Sequence, residues 1–172
     1  FSVVLGNADN GTITSGTGTG TITDDDEPPA VSFAADVTAA ETDGAATTDF
    51  VFTVDLAAAS EKDITVTYLV NDGTASDADA DYVDLDDDVT PVDLAFAAGV
   101  TSQTITVVVN GDDTDEDDET FTVDLQSAVT DLGTAIDSTP VLSDSQGVGT
   151  VQNDDADPAI SVDDISIAEA DS

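Results

Sequence analysis

Gly111-Asp112-Asp113-Thr114-Asp115-Glu116-Asp117-Asp118-Glu119 runs without a break into Thr120-Phe121-Thr122-Val123-Asp124-Leu125. The first stretch puts seven carboxylates in the eight positions from 112 to 119, with Thr114 the one gap. In the second, Phe121, Val123 and Leu125 alternate with Thr120, Thr122 and Asp124, the period of a half-buried strand. A dense block of negative charge is thus tied to the edge of a packed sheet. Two carboxylates about 4 Å apart repel by ~1 kcal/mol in water, and by more beside a protein surface. The fold must neutralise the block with a cation or leave it splayed in solvent.

The same alternation recurs along the chain. Phe50, Phe52, Val54 and Leu56 share one side, as do Ile64, Val66, Tyr68 and Val70. Val92, Leu94 and Phe96 read as a short strand; Ile105, Val107 and Val109 as another; Gly149 and Val151 as the last. Val31 to Thr38 reads as a first, irregular edge. About seven strands result, each bounded by Gly, Asn or Asp. One apolar face per strand predicts an all-β chain of two antiparallel sheets packed face to face. Asn71-Asp72-Gly73 and Asn10-Gly11-Thr12 are turn signals. Asp77 to Asp88 is an acidic loop around Tyr82, in which Asp79 and Asp81 read as loop solvation. Tyr68 and Tyr82 read as packing residues.

The pattern also repeats at long range. Phe1-Ser2-Val3-Val4-Leu5 matches Phe121 to Leu125, and Gly18-Thr19-Gly20-Thr21-Ile22 matches Gly147-Val148-Gly149-Thr150-Val151. Asp24-Asp25-Asp26 matches Asn153-Asp154-Asp155, and Pro29-Ala30-Val31-Ser32 matches Pro158-Ala159-Ile160-Ser161. Residues 1–26 are therefore expected to be the closing strands of one repeat, 27–157 a complete repeat, and 158–172 the first strand of a third. A chain that opens at Phe1 inside a strand pattern is expected to be a window of a longer protein. The junctions Asp25 to Pro29 and Asp154 to Pro158 are short and stiffened by proline, so successive repeats should sit end to end.

Composition narrows the function. The 172 residues hold one basic side chain, Lys62, against 39 acids, for a net charge of −38. Nucleic acid needs Arg and Lys at its phosphates and is excluded as a partner. An anionic membrane surface is disfavoured, and no apolar run is long enough to span a bilayer. The hydrophobic content of 40% belongs to a folded protein rather than an acidic tail. With no cysteine and no histidine, thiolate sites, most zinc chemistry and neutral-pH acid–base catalysis are gone. No nucleophile, base and oxyanion set can be named, and an enzyme is not expected. Counter-ions must come from solution, which implies divalent metal, high salt, or both. Calcium takes six to eight carboxylate, carbonyl and water oxygens, whereas magnesium demands a tighter octahedron and keeps its waters. The acid run is no EF-hand, since Asp118 replaces the required Gly and no helix pattern flanks it.

Several pieces, in this order, resemble the Calx-beta family: Asn71-Asp72-Gly73-Thr74-Ala75, Asp81-Tyr82, Phe96 to Val107, Gly111-Asp112-Asp113, Asp118-Glu119-Thr120-Phe121 and Asn153-Asp154-Asp155. The resemblance implies an immunoglobulin-like sandwich of about seven strands that binds Ca2+ at one end. Carried over position by position, it implies Glu41, Asp72, Asp112, Glu116, Glu119, Asn153, Asp154 and Asp155 as ligands. Asp24, Asp25 and Asp26 would be the matching ligands of the preceding repeat. Asn153 stands where the family has an acid and Gly111 where some members have Asp, which implies weaker binding or fewer ions.

The expected role is that of a calcium-binding structural repeat in a long secreted or cell-surface rod, filament or adhesin. Its partners would be neighbouring repeats, other copies in a filament, or a cell-surface partner. One alternative is a regulatory calcium sensor, as in the Calx-beta domains of sodium–calcium exchangers. Another is a halophilic surface protein whose acids serve hydration alone.

Overall fold

Between Ile64 and Asn71 burial alternates residue by residue, and between Phe50 and Leu56 every second residue is fully buried. β-Branched and aromatic residues at period two fill one face of a pleated strand and leave Thr and Asp on the other. The computed structural model describes residues 1–23, 25–83, 85, 89–130 and 140–166. Its strands in chain order are β1 (Ser2–Val4), β2 (Thr17–Thr19), β3 (Val31–Phe33), β4 (Val37–Ala40), β5 (Thr47–Leu56), β6 (Ile64–Asn71), β7 (Val92–Phe96), β8 (Ser102–Asn110), β9 (Glu119–Thr130), β10 (Leu142–Asp144) and β11 (Gln146–Gln152). No helix occurs among the described residues.

β1 and β2 form a hairpin of their own. The other strands form two sheets, in the orders β10-β3-β5-β8 and β4-β11-β9-β6-β7. The sandwich closes on aromatic rings. Phe121 of β9 lies 5.6 Å from Phe50 and 5.9 Å from Phe52 of β5, and Phe33 lies 6.0 Å from Phe52. Each such side chain removed from water contributes about 1.5–3 kcal/mol. On β11 the strand offers glycine to these rings. A side chain at Gly149 would run into the ring of Phe121, and one at Gly147 into Phe52 and Phe33.

The all-β sandwich is as expected, with three differences in detail. The irregular first edge is two strands, one in each sheet. Asp36 marks the crossing, where its Oδ1 accepts the Val148 N–H at 2.9 Å. A strand that changes sheets makes a corner of the sandwich. Two edge pairings are parallel, β3 with β10 and β4 with β11, while the interior pairings are antiparallel. Residues 158–166, expected to start a further strand, form none, and Ile160 and Val162 stay almost fully exposed. A lone strand without a sheet to join has no ladder to hold it.

Candidate metal centre

Register brings six strand ends together. Thr47 pairs with Asn110, Asn71 with Thr122, Glu119 with Val151, and Ala40 with Gln152. The end of β4, the start of β5, the ends of β6 and β8, the start of β9 and the end of β11 therefore share one end of the sandwich. Every loop leaving that end is acidic.

Main-chain bonds stitch these loops to each other. Glu41 N–H donates to Gln152 O at 3.1 Å, and Gly44 N–H to Asp112 O at 2.8 Å. Gly111 N–H donates to Ala46 O at 2.9 Å, and Asn110 N–H to Asp81 O at 2.8 Å. Gly44 turns with φ +67°, a left-handed conformation that favours glycine. At Gly111 the Thr42 main chain passes so close that any side chain would overlap it. Position 111 is therefore closed to an Asp side chain by packing in this chain. Below the loops, Tyr82 is buried with its ring 5.1 Å from that of Phe121. Its hydroxyl donates to Asp72 Oδ1 at 2.6 Å.

Two carboxylate triplets result. Asp81, Glu116 and Glu119 form one; Asp43, Asp154 and Asp155 form the other. In each, one oxygen from every member lies within 4.8 Å of the others. Glu41 is the one buried charged residue among those described, at 9% exposure. Burial pushes its carboxyl up to about 7, helped by the charges of Asp112, Glu116, Asp155 and Asp154. Burial also raises Glu119 to about 7, together with the charge of Asp81 and a hydrogen bond to it. Glu116 is raised by burial and then by Asp112 and Asp81. Asp155 is raised by burial and then by Asp43, Asp113, Asp112 and Asp154. Without a cation, Glu41 and Glu119 still hold protons near neutral pH that ordinary carboxylates have lost. No basic side chain answers them, because the only one in the chain, Lys62, lies near the start of β6, beyond the opposite end of that strand from Asn71.

The expected ligands sort as follows. Glu116, Glu119, Asp154 and Asp155 are members of the triplets, the first two in one and the last two in the other. Glu41 and Asp112 belong to the same charge field without completing a triplet. Asp112 Oδ1 also accepts the Thr114 N–H at 2.6 Å. Asp72 is in neither triplet; its Oδ1 accepts Tyr82 and, at 3.2 Å, the Asp77 N–H. Asn153 is in neither. Its Nδ2 donates to Asp115 Oδ1 at 3.1 Å and its Oδ1 accepts the Asp155 N–H at 3.1 Å. It braces the acid run, a job an aspartate could not do. Asp25 and Asp26 lie at the opposite end, in a groove with Pro28, Ser60 and Lys62. Asp24 lies outside the described residues, as do 84 and 86–88 of the acidic loop.

Sequence reasoning passed over two triplet members. Asp81, expected to serve loop solvation, lies beside Glu116 and Glu119, next to the buried Tyr82 and with its carbonyl bonded by β8. Its neighbour Tyr82, apolar-faced in an acidic loop, was the available signal. Asp43, two residues from Glu41, was not among the expected ligands.

The donor set fits a calcium ion. It offers carboxylate and main-chain oxygens and nothing softer. Asp155 Oδ2 and Thr42 Oγ1 are shielded from solvent with no hydrogen-bond partner. A buried carboxylate oxygen without a donor is costly unless a cation meets it.

The Calx-beta domain model matches residues 24–151. No curated protein matches the chain. Among solved structures, the calcium binding domain CBD12 of CALX1.1 is 25% identical at a TM-score of 0.55, over 73% of this chain and 46% of its own. CBD12 from CALX1.2 is 24% identical at 0.56, over 72% and 44%. The apo-form Calx CBD1 domain is 23% identical at 0.55, over 75% of this chain and 100% of its own. This chain thus spans less than half the length of the two CBD12 structures. With the domain model matched from residue 24 to residue 151, the chain belongs to the Calx-beta family of calcium-binding domains.

Proposed function

We propose that this chain is a calcium-stapled structural repeat of a secreted or cell-surface rod, filament or adhesin. Ca2+ held by Asp81, Glu116 and Glu119 and by Asp43, Asp154 and Asp155 locks the loops at one end of the sandwich, with Glu41 and Asp112 between them. The observation that carries this reading is Asp155 Oδ2, buried without a partner inside a triplet of acids. A chain with no cysteine has no disulfide to staple it, and the ion supplies that constraint. The partners are neighbouring repeats, other copies, or a cell-surface protein.

A regulatory sensor is the second reading, favoured by the likeness to the Calx domains. Affinity separates the two. Sensors half-saturate at about 10⁻⁷–10⁻⁵ M calcium and extracellular structural modules at about 10⁻⁴–10⁻³ M. The test is thermal melting across a calcium titration, with EDTA at matched ionic strength as the reference. A ligand at a hundred times its Kd adds ~2.7 kcal/mol, about 5–10 °C for a chain of this size. A midpoint near millimolar supports the structural repeat, and one near micromolar the sensor. Equal melting in calcium and matched NaCl leaves the acids to hydration alone.

A further inference from the structure

The β1–β2 hairpin repeats β9 and β11 in more than sequence. Ser2 pairs with Thr19 and Val3 with Gly18, as Thr122 pairs with Val148 and Val123 with Gly147. Phe1 and Gly20 exchange main-chain bonds of 2.9 Å in both directions, the register of Phe121 and Gly149. In each pair the phenyl ring lies over the opposite glycine so closely that a side chain there would meet it. Two distant stretches thus share strand register, glycine placement and ring position.

Their surroundings differ. Phe121, Val123 and Leu125 are buried to 4% exposure or less, whereas Phe1, Val3 and Leu5 are exposed at 77%, 56% and 59%. Ile22, the counterpart of buried Val151, is 85% exposed. An isolated two-stranded hairpin with one apolar face is marginal in water.

We propose that residues 1–22 are the closing hairpin of a second Calx-beta sandwich, and that their open face is shaped for the remaining strands of such a sandwich, equivalent to β3 through β8. The occupant is specified by what covers the same face in the central repeat. There, rings from β3 and β5 fill the space that Gly147 of β11 leaves open, while Phe121 of β9 lies over Gly149. The hairpin also leads through residues 23–30 directly into β3, so the two sandwiches are consecutive.

The test places residues 27–120 of this chain directly in front of Phe1, so that a second Glu-Thr leads into Phe1 as Glu119-Thr120 leads into Phe121. Amide hydrogen exchange is read at residues 1–5 in this extended chain and in the present one. The expected result is exchange slowed by about a hundredfold or more, because opening then requires a packed unit to unfold. Phe1→Asp should abolish that slowing in the extended chain and leave the melting of the central repeat unchanged in the present one. Exchange at residues 1–5 that stays as fast as in the present chain overturns the proposal. So does slowing that survives Phe1→Asp.

Discussion

The two carboxylate triplets carry the same charge on different supports. Glu119 opens β9, two residues from the buried ring of Phe121, and Asp81 adjoins Tyr82, which stacks on that ring. Asp81 and Glu119 are half-buried. Asp43 sits on the β4–β5 turn, and Asp154 and Asp155 follow β11 on the way to Pro158. There, Asp43 and Asp154 are exposed and only Asp155 is half-buried. The first triplet is held by the core, the second by loops at the junction. Sites fixed on packed elements lose less entropy when an ion binds than sites on loops.

The sharpest way to break that comparison is Glu119→Gln against Asp43→Asn. In calcium, Glu119→Gln should remove most of the ion's stabilisation, up to ~2.7 kcal/mol at a hundred times the Kd, and Asp43→Asn clearly less. In EDTA both should be neutral or stabilising, since each removes a like charge from its cluster. Chemical denaturation with and without calcium measures all four values. Equal losses from the two variants would remove the distinction between the triplets.

Acidity gives the next effect. Glu41 and Glu119 stand near 7 in the folded chain against an ordinary 4.5. Between those values the folded state binds more protons than the unfolded one. Metal-free stability should therefore be full below pH 4.5 and fall as pH rises through 7. Calcium displaces those protons, so its affinity should rise over the same window. Melting in EDTA from pH 5 to pH 8 tests this, with Glu41→Gln and Glu119→Gln each expected to flatten the slope. An unchanged slope in both variants would assign it to the general repulsion of the chain's acids.

Asp72→Asn and Tyr82→Phe should cost about 0.5–1.5 kcal/mol, the worth of a hydrogen bond. The cost should be the same in calcium and in EDTA, because Asp72 braces the loop rather than joining a triplet. Asp81→Asn should cost stability in calcium alone. A calcium-dependent loss at Asp72 would return it to the ligand set.

The smallest effect is expected at Ala80. It adopts φ +73°, beside Asp81, with its carbonyl held by Asn110 Nδ2 at 2.7 Å. Ala80→Gly should stabilise the chain by up to ~1 kcal/mol by relieving left-handed strain. Destabilisation on denaturant titration would mean that backbone entropy outweighs the strain.

Alternation at residues 50–56, 64–70 and 105–109 determined the sheets from sequence alone, because a side-chain period of two admits one buried face. The acid run before Phe121 and the missing bases narrowed the answer to that charge to a cation from solution or to hydration. The quoted motifs determined the family. Tertiary structure decided which acids meet. Asp81 joins Glu116 and Glu119 through a ring stacked on Phe121 and a main-chain bond to β8. Asn153 turns its amide to Asp115, and Asp72 is taken by Tyr82. Gly111 stays bare because Thr42 crosses it. The split first edge depended on Asp36 finding the Val148 N–H. Each of these depends on a partner ten residues or more away along the chain, or on which way a loop's main chain runs. Local periodicity carries neither, since it records which face a residue takes but not which residue it will meet.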